Sequence, residues 1–302
     1  MTTPGGAGLA PSLNAAVWGA QRAPNALQRA CAAVGLDASG ATLVHSGANA
    51  VWHVRDFAVR VTPARTASAQ RLATVFADLR ARDDGVCLLP VLTPEPVETV
   101  DGTVTFWPWV DSTHRASWAE VGSMLRQFHA VRRQGPLPLP AWNPIDRLTG
   151  RIEAYAGWPG AREDLAELLR DLAKQAARQL ASVCYELSWG PVHGHPTPNN
   201  TLVTADGPRF IDFDQMVTGP REWDLALAVL NRRQYGASLG DYLDFAEAYG
   251  VEVRDWPGCD ALVRARQLSY VAFVAALATT DLRMVAELDA QVTALRAAWV
   301  AG

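Results

Sequence analysis

The stretch VHGHPTPNNTLVTADGPRFIDFD, residues 192–214, decides the fold. Its centre, Ala205-Asp206-Gly207, is a turn signal between the apolar segments TLVT and RFIDFD, and it predicts a β-hairpin. Folding the hairpin brings Asn200, just before the first strand, close to Asp212, near the end of the second. The sequence therefore predicts that an amide and a carboxylate meet at one end of this hairpin.

Asp212 and Asp214 are two positions apart, so strand alternation is expected to place both carboxylates on one face, opposite Ile211 and Phe213. With the Asn200 amide they form a small set of hard oxygen ligands. Mg²⁺ accepts such a set when water and phosphate oxygens complete its coordination. Acidic residues at a strand end also cap the next helix or pair with arginine, and this second interpretation stays open, above all for Asp214.

Length and composition describe an ordinary soluble globular protein. The chain has 302 residues, of which 49% are apolar and 19% charged, and its formal net charge is -4. A chain of this size can bury a large core. Neither extended disorder nor nucleic-acid binding through bulk positive charge is expected.

The sequence also predicts a cytoplasmic protein with no membrane partner. Its longest apolar run, Tyr270–Ala278, is less than half of the roughly twenty residues that a membrane span needs. The start of the chain carries no recognisable secretory signal. The four cysteines lack metal-binding spacing, so they are expected to be reduced structural thiols.

The first 110 residues divide into a leader and a sheet unit. Residues 1–22 are rich in Gly, Ala, Pro and Ser and are predicted to form a flexible leader. Within 23–110, a short helix is followed by three short strands between 42 and 61, a helix over 66–82, and strands LLPVL (88–92) and TVTFWPWV (103–110). These elements are expected to form a small antiparallel sheet.

Residues 111–302 are predicted to be mostly helical. Apolar residues recur at helical spacing in 117–131 and again within 161–188. The hairpin interrupts this pattern, which returns after Gly219-Pro220 and continues to the end of the chain. The predicted fold class is therefore α+β, with a small sheet unit followed by a larger helical one.

A second candidate site is the break Ser46-Gly47-Ala48-Asn49-Ala50 between two predicted strands. Its small residues would let backbone N–H groups approach a phosphate closely, although a plain hairpin turn explains the same residues. Arg60, in the third strand, should point away from the core. There it is either solvated or available to hold phosphate oxygens.

The order of these parts resembles the aminoglycoside phosphotransferase and choline kinase family, which has a two-lobe, protein-kinase-like fold. The loop of that family reads HGDxxxxN and is followed by a short hairpin and an IDF or IDW strand with a further acid. Here HGHPTPNN, residues 193–200, is followed by IDFD, residues 211–214. Residues 219–226 are similar to the family's stretch after that strand, and the resemblance covers about residues 41 to 230.

The resemblance implies an ATP- or GTP-dependent phosphotransferase that acts on a hydroxyl group. Asn200 and Asp212, with Asp214 as a third candidate ligand, would hold Mg²⁺ bridging the nucleotide phosphates. The loop from Ser46 to Ala50 would cover those phosphates, and Arg60 would hold them.

Trp107 to Val110 would be the hinge that binds the purine through its backbone. Pro108 has no N–H, so the donor there must come from Trp109 or Val110. The rings of Trp107 and Trp109 are expected either in the core or stacked on the purine.

Two positions depart from the family pattern. The catalytic aspartate, third in HGD, is His195 here, and the lysine expected on the third strand is Arg60. No glutamate of helix 66–82 is placed to pair with that arginine, and Gln70 is a stand-in. Because phosphoryl transfer depends mainly on positioning and electrostatics, a neutral His195 that accepts a hydroxyl proton would still support catalysis. The alternative is a kinase-fold protein that binds nucleotide or a partner without transferring phosphate.

Three further residues are interpreted as structural. His193 is expected to fix backbone carbonyls of its loop, and Asp224 to bond the backbone of the same loop. His129, at the end of an apolar helical stripe, is expected to be a satisfied core residue.

The acceptor class stays open. Between Asp241 and Asp260 the acidic residues face a single base, Arg254, which would suit a cationic acceptor such as an amino sugar if this part flanks the acceptor cleft. Solvated helix faces are the simpler explanation. An aminoglycoside, another amino sugar, a nucleoside-type natural product, and a serine or threonine of a biosynthetic peptide are all compatible with the sequence.

Overall fold

A computed structural model describes residues 22–46, 49–63, 66–82, 85–93, 95–130, 139–279 and 281–300, without the side chains of 66–70, 82 and 300. The predicted leader, residues 1–22, lies outside the described residues except for its last member.

A five-stranded antiparallel sheet opens the described chain. Helix α1 (Ala23–Ala33) precedes strands β1 (Thr42–Ser46), β2 (Ala50–Val54) and β3 (Phe57–Thr62), and helix α2 (Thr66–Arg82) separates these from β4 (Val97–Thr99) and β5 (Gly102–Pro108). The strand order is β1-β2-β3-β5-β4, with every neighbouring pair antiparallel. The predicted sheet with a helix inserted after its third strand is confirmed.

The prediction of a fourth strand at 88–92 is wrong, because the fourth strand is β4. Pro90 offers no N–H to a strand ladder. The segment instead bonds in two directions: Leu88 N–H donates to the carbonyl of Phe210, and Val91 N–H donates to the carbonyl of Phe106. It thus ties the sheet to the hairpin rather than widening the sheet.

The rest of the described chain is mostly helical. Its elements are α3 (Trp118–Ala130), α4 (Pro144–Ala156), α5 (Glu163–Ser182), β6 (Gly190–Val192), β7 (Thr201–Thr204), β8 (Gly207–Phe210), β9 (Val217–Gly219), α6 (Glu222–Gln234), α7 (Leu239–Tyr249), α8 (Cys259–Ala278) and α9 (Met284–Val300). Strands β7 and β8 form the predicted hairpin, and β6 pairs with β9.

The helix predicted within 161–188 ends earlier, at Ser182. The carboxylate of Glu222 explains the difference, since its Oε1 accepts the backbone N–H groups of Glu186 and Leu187 at 2.7 and 2.6 Å. These bonds hold the chain in a non-helical path into β6. The apolar spacing alone could not reveal a carboxylate from another helix.

Two hydrophobic cores form. The smaller one packs α1 against one face of the sheet, with Trp52, Val59 and Phe106 among its buried residues. The larger one fills the helical part and also takes in the apolar face of α2 and Trp107. Because α2 lies between two strands of the sheet in sequence but packs in the larger core, the sheet and helical parts are joined through this helix.

Among the helices of the described ranges, α8 is long and apolar enough to cross a membrane by length and composition, but most of it is buried, as a core helix is. The four cysteines are unpaired, with Cys31 and Cys259 buried.

Candidate active site

The β7–β8 hairpin brings Asn200 and Asp212 to the same place. Asn200 ends a short 3₁₀ turn immediately before β7, and its backbone carbonyl accepts the N–H of Ile211 at 3.0 Å. The residue after that partner is Asp212. The two predicted ligand positions are therefore adjacent across the hairpin.

Strand alternation does not determine the direction of the two aspartate side chains, contrary to the prediction. Strand β8 ends at Phe210, and Asp212 has a left-handed backbone conformation with φ of +65°. Phe213 is buried in the larger core. Both carboxylates nevertheless reach Arg60. A left-handed backbone is uncommon outside glycine, and such residues cluster at functional sites.

Arg60 binds both aspartates. On β3 it lies between Val59 and Val61, which are buried in the smaller core, so its side chain leaves the opposite face of the sheet, as predicted. Its Nη1 and Nη2 donate to the two carboxylate oxygens of Asp214, at 3.0 and 2.5 Å, and Nη2 lies 3.5 Å from Oδ1 of Asp212. The sheet and the hairpin are thereby joined by an arginine fork.

The electrostatics of the two aspartates differ. Burial acts to raise the pKa of each carboxyl and Arg60 acts to lower it. For Asp214 the arginine prevails and the pKa falls below its usual value. For Asp212 burial prevails over the more distant arginine, and the pKa is raised. Asp212 is thus the less compensated of the two carboxylates.

The atoms at this point fit a divalent cation. Asn200 Nδ2 is engaged with His195, as described next, which leaves its Oδ1 without a hydrogen-bond partner among the described residues. That oxygen and the undercompensated Asp212 carboxylate are the hard ligands that Mg²⁺ takes when phosphate oxygens and water supply the rest. Both oxygens of Asp214 face Arg60, so Asp214 is not available as a third ligand while this ion pair lasts.

His195 is fixed by the Asn200 amide. Nδ2 of Asn200 donates to the backbone carbonyl of His195 at 3.0 Å and lies 3.0 Å from its Nδ1. A carbonyl oxygen only accepts, so the amide nitrogen must face both atoms and Nδ1 must act as an acceptor. The proton of the neutral ring then lies on Nε2.

The ring is neutral near pH 7. Burial lowers the pKa of His195 to about 4, against the opposing effect of the Asp212 charge. A neutral ring protonated on Nε2 presents a hydrogen-bond donor. Accepting a hydroxyl proton, as predicted for His195, would require the ring first to release the Asn200 amide.

The backbone of the 193–195 loop is held from α6. The carboxylate of Asp224 accepts the N–H groups of His193 and Gly194, both at 2.8 Å. Both ring nitrogens of His193 are hydrogen-bonded: Nδ1 accepts the N–H of His195, and Nε2 donates to the Ile211 carbonyl at 3.2 Å. Both structural interpretations are confirmed.

A buried network surrounds Asp224. His129 bonds it through Nε2 at 3.1 Å and bonds the hydroxyl of Tyr249 through Nδ1 at 2.9 Å, which confirms His129 as a satisfied core residue. Arg266, on α8, donates to the carbonyls of Trp223 and Gly194. Arg266 was not predicted, since a charged residue within a core helix carries no sign of its partners in the sequence.

Gly194 is required where it stands. It has φ of +87°, and a Cβ there would lie 2.5 Å from the carbonyl oxygen of Gln215. Only glycine permits this close approach of the loop to the segment after Asp214.

The predicted phosphate loop is described in part. Ser46 ends β1 and Asn49 precedes β2, whereas Gly47 and Ala48 lie outside the described residues. The same holds for the side chain of Gln70, the predicted partner of Arg60. In the described residues Arg60 turns to the aspartates of the hairpin.

One of the two predicted hinge donors is already engaged within the protein. The backbone N–H of Trp109 donates to the carbonyl of Asp56 at 2.8 Å, so of the two candidate donors Val110 is left. The ring of Trp107 is 7% exposed and packs near Phe76 and Phe213 in the larger core. The ring of Trp109 is partly exposed and stacks on His53, with 3.8 Å between ring centroids.

The acidic stretch between 241 and 260 has local partners. Asp241 caps α7 together with Ser238. Glu252 accepts the hydroxyl of Tyr242, and Asp260 pairs with Arg233 on the surface. These contacts favour the interpretation as solvated helix faces over an acceptor site.

Two arginines near the aspartates were also missed. Arg71 on α2 donates to the backbone carbonyl of Met216 at 3.3 Å, and Arg147 on α4 donates to that of Asp214 at 3.2 Å. They are distant in sequence from the hairpin. Only the folded chain brings them to it.

A small antiparallel sheet followed by a mostly helical part, with a basic residue of the third strand facing acids after a hairpin, is the arrangement of the kinase-like class of folds. A sequence profile described as the phosphotransferase enzyme family matches residues 40–262. The chain belongs to this family, which confirms the resemblance. No curated protein matches the sequence significantly.

Solved structures agree on the fold. An amicoumacin kinase in complex with AMP-PNP, Ca²⁺ and its antibiotic has a TM-score of 0.67 at 13% identity, over 90% of this chain and 92% of its own. A choline/ethanolamine kinase family protein from Mesorhizobium loti has 0.64 at 15%, over 90% and 94%. A spectinomycin phosphotransferase in complex with ADP and spectinomycin has 0.56 at 12%, over 87% and 92%.

Proposed function

We propose that this protein is a cytoplasmic O-phosphotransferase that moves the terminal phosphoryl group of ATP or GTP to a hydroxyl of a small molecule. One observation carries the proposal: the hairpin sets Asn200, whose Oδ1 has no hydrogen-bond partner among the described residues, across from Asp212, a half-buried carboxylate without full charge compensation, and Arg60 reaches Asp212 from the sheet.

Asn200 and Asp212 would hold Mg²⁺, which supplies electrostatic stabilisation of the nucleotide phosphates when bound. Arg60 would move its paired hydrogen bonds from Asp214 to phosphate oxygens, because a guanidinium binds carboxylate and phosphate groups alike through paired N–H donors. The backbone N–H of Val110 would donate a hydrogen bond to the purine.

The transfer needs little from a base. The acceptor oxygen forms a bond to the terminal phosphorus while the bond from that phosphorus to the bridging oxygen breaks and the nucleoside diphosphate leaves. The hydroxyl proton passes to water. In a loose transition state of this kind positioning and charge stabilisation dominate, and the Nε2–H of His195 would donate a hydrogen bond to an oxygen of the transferred group or the acceptor.

The acceptor is proposed at the level of class. Related structures hold amicoumacin and spectinomycin, and others are choline or ethanolamine kinases. A natural product that bears hydroxyl groups, including an amino sugar, fits this range. A serine or threonine of a biosynthetic peptide is the narrower alternative.

The experiment is a transfer assay with γ-labelled ATP and GTP, Mg²⁺ and a panel of aminoglycosides, amino sugars, nucleosides, choline and ethanolamine. We expect a labelled product and its loss by roughly 100-fold or more in Asp212→Asn, since a charge that stabilises the transition state is removed. Full turnover by Asp212→Asn would overturn the proposal.

A protein that binds nucleotide without transferring phosphate is the second candidate. It is favoured by the neutral, Nε2-protonated state of His195, which offers no lone pair to a hydroxyl proton. This candidate predicts that His195→Asp creates or greatly raises turnover. An active wild type predicts a loss or little change in the same variant.

A further inference from the structure

Two arginines that the proposed reaction does not use lie beside the segment after Asp212. Arg147 reaches the backbone carbonyl of Asp214 from α4, and Arg71 reaches that of Met216 from α2. With Arg60 on β3, three guanidinium groups from three different elements contact residues 212–216. We call Arg60, Arg71 and Arg147 the arginine cluster.

Arg71 and Arg147 leave most of their hydrogen-bonding capacity unused. A guanidinium has five N–H donors, and each of these two makes a single hydrogen bond and no salt bridge with the described residues. Nε of Arg71 is buried without a partner. Buried donors without acceptors are costly, so the arrangement favours a ligand that brings acceptors.

The local charges do not balance. The cluster carries three positive charges, and Asp212 and Asp214 carry two negative ones. Both oxygens of Asp214 are already taken by Arg60. Burial, together with the charge of Arg147, lowers the pKa of Arg71 to about 10, so both arginines remain charged near pH 7 and repel one another.

The cluster is partly open to solvent, since Arg60, Arg71 and Arg147 are all half-buried. The side chains of Asp212 and Asp214 beside them are 38% and 34% exposed, whereas that of Arg60 is 11% exposed. A ligand can therefore reach the guanidinium groups along the aspartates. A partly buried surplus of positive charge at such an opening attracts anions.

We propose that the arginine cluster is a subsite that binds the terminal phosphates of a polyphosphate without a divalent cation. The inference rests on the proposed function, because it assigns the subsite to the tail of the nucleotide. A polyphosphate supplies the several acceptor oxygens, close together, that three guanidinium forks require.

The probe is inorganic tripolyphosphate in EDTA, titrated calorimetrically into the full chain at constant ionic strength. We expect saturable binding that Arg147→Gln weakens by about tenfold or more, the effect of losing one charge-assisted hydrogen bond. Arg71→Gln is expected to act in the same direction. Circular dichroism confirms that each variant is folded.

Arg151→Gln is the matched control. Arg151 lies one turn further along α4, donates to the Ser269 carbonyl and covers the ring of Phe273, so its substitution should change affinity by no more than about twofold. Absence of saturable binding in EDTA, or equal weakening in Arg147→Gln and Arg151→Gln, overturns the subsite.

The two proposals fail separately. Binding of Mg·ATP with no binding of tripolyphosphate in EDTA overturns the subsite and leaves the proposed function. Tripolyphosphate binding that responds to Arg147→Gln, without phosphoryl transfer to any acceptor, supports the subsite and overturns the proposed function.

Discussion

The side chain of Asn200 determines which ring nitrogen of His195 carries the proton. The Asn200 amide, oriented by the His195 carbonyl, makes Nδ1 an acceptor and so sets the proton on Nε2. The residue that stands in the aspartate position of the family thus presents a donor where an aspartate presents an acceptor. In the proposed reaction His195 therefore contributes a hydrogen bond rather than a base.

Substitutions of His195 distinguish the two roles. We expect His195→Ala to lower the rate of nucleotide hydrolysis, with water as the acceptor, by roughly 10- to 100-fold, the effect of one lost hydrogen bond to charge. His195→Gln retains an N–H donor and should keep most of the rate. Equal loss of roughly 10²- to 10⁴-fold in both variants would indicate a general base instead.

At the scale of elements, helix α6 holds the loop that carries His195. Asp224, in its first turn, accepts two loop N–H groups and is itself paired with His129 and Arg266. Burial acts to raise the pKa of Asp224, but these partners outweigh it and the pKa is lowered. The carboxylate is therefore a charged anchor inside the core.

Removing that anchor should destabilise the fold. Asp224→Ala leaves Arg266 buried and uncompensated, which costs about 3–5 kcal/mol by comparison with other broken buried pairs. Urea unfolding measures this loss. The control is Asp244→Ala on α7, an exposed residue, which should stay within about 0.5 kcal/mol of wild type. An equal effect of both substitutions would contradict the anchoring role.

The loop histidines should make stability depend on pH. Burial lowers the pKa of His193 to about 4 in the folded protein, below the value of about 6.5 in the unfolded chain. Between these values the unfolded chain binds a proton that the folded protein does not, so stability falls as the pH falls. The slope is about 1.4 kcal/mol per pH unit for His193.

Denaturant unfolding at a series of pH values between 7 and 4 measures this slope. His193→Asn should show a shallower slope, because the contribution of His193 to the pH dependence of the unfolding free energy is removed and that of His195 remains. A slope identical to that of wild type would show that His193 does not titrate as its burial requires.

Patterns local in sequence were sufficient to predict the hairpin, helix α2 and the five-stranded sheet. The fourth strand was misplaced because β4 has only three residues, whereas Pro90 interrupts a more apolar segment. The aspartates were correctly brought together for an incorrect reason, since a left-handed Asp212 and not strand alternation orients them. Aspartate adopts that conformation more readily than most residues, but its residue type alone does not predict it.

At the scale of the whole molecule, the site is assembled across two hydrophobic cores. Arg60 comes from the sheet, Asp212 and Asp214 from the hairpin, and Arg71 from the helix that joins them. Sequence alone indicated Asn200 and Asp212, whose spacing resembles a family motif, and Arg60, which stands at the position of the family's lysine. Arg71, Arg147 and Arg266 could not be found that way, because their partners, backbone carbonyls and for Arg266 also Asp224, lie far from them along the chain.

The most direct test is the electron paramagnetic resonance signal of Mn²⁺, standing in for Mg²⁺, bound with ATP to the full chain. The account predicts a protein-bound Mn·ATP signal in the wild type and in the control Asp206→Asn, at the tip of the same hairpin, and its loss in Asp212→Asn. Equal binding of Mn·ATP by Asp212→Asn and wild type would contradict it.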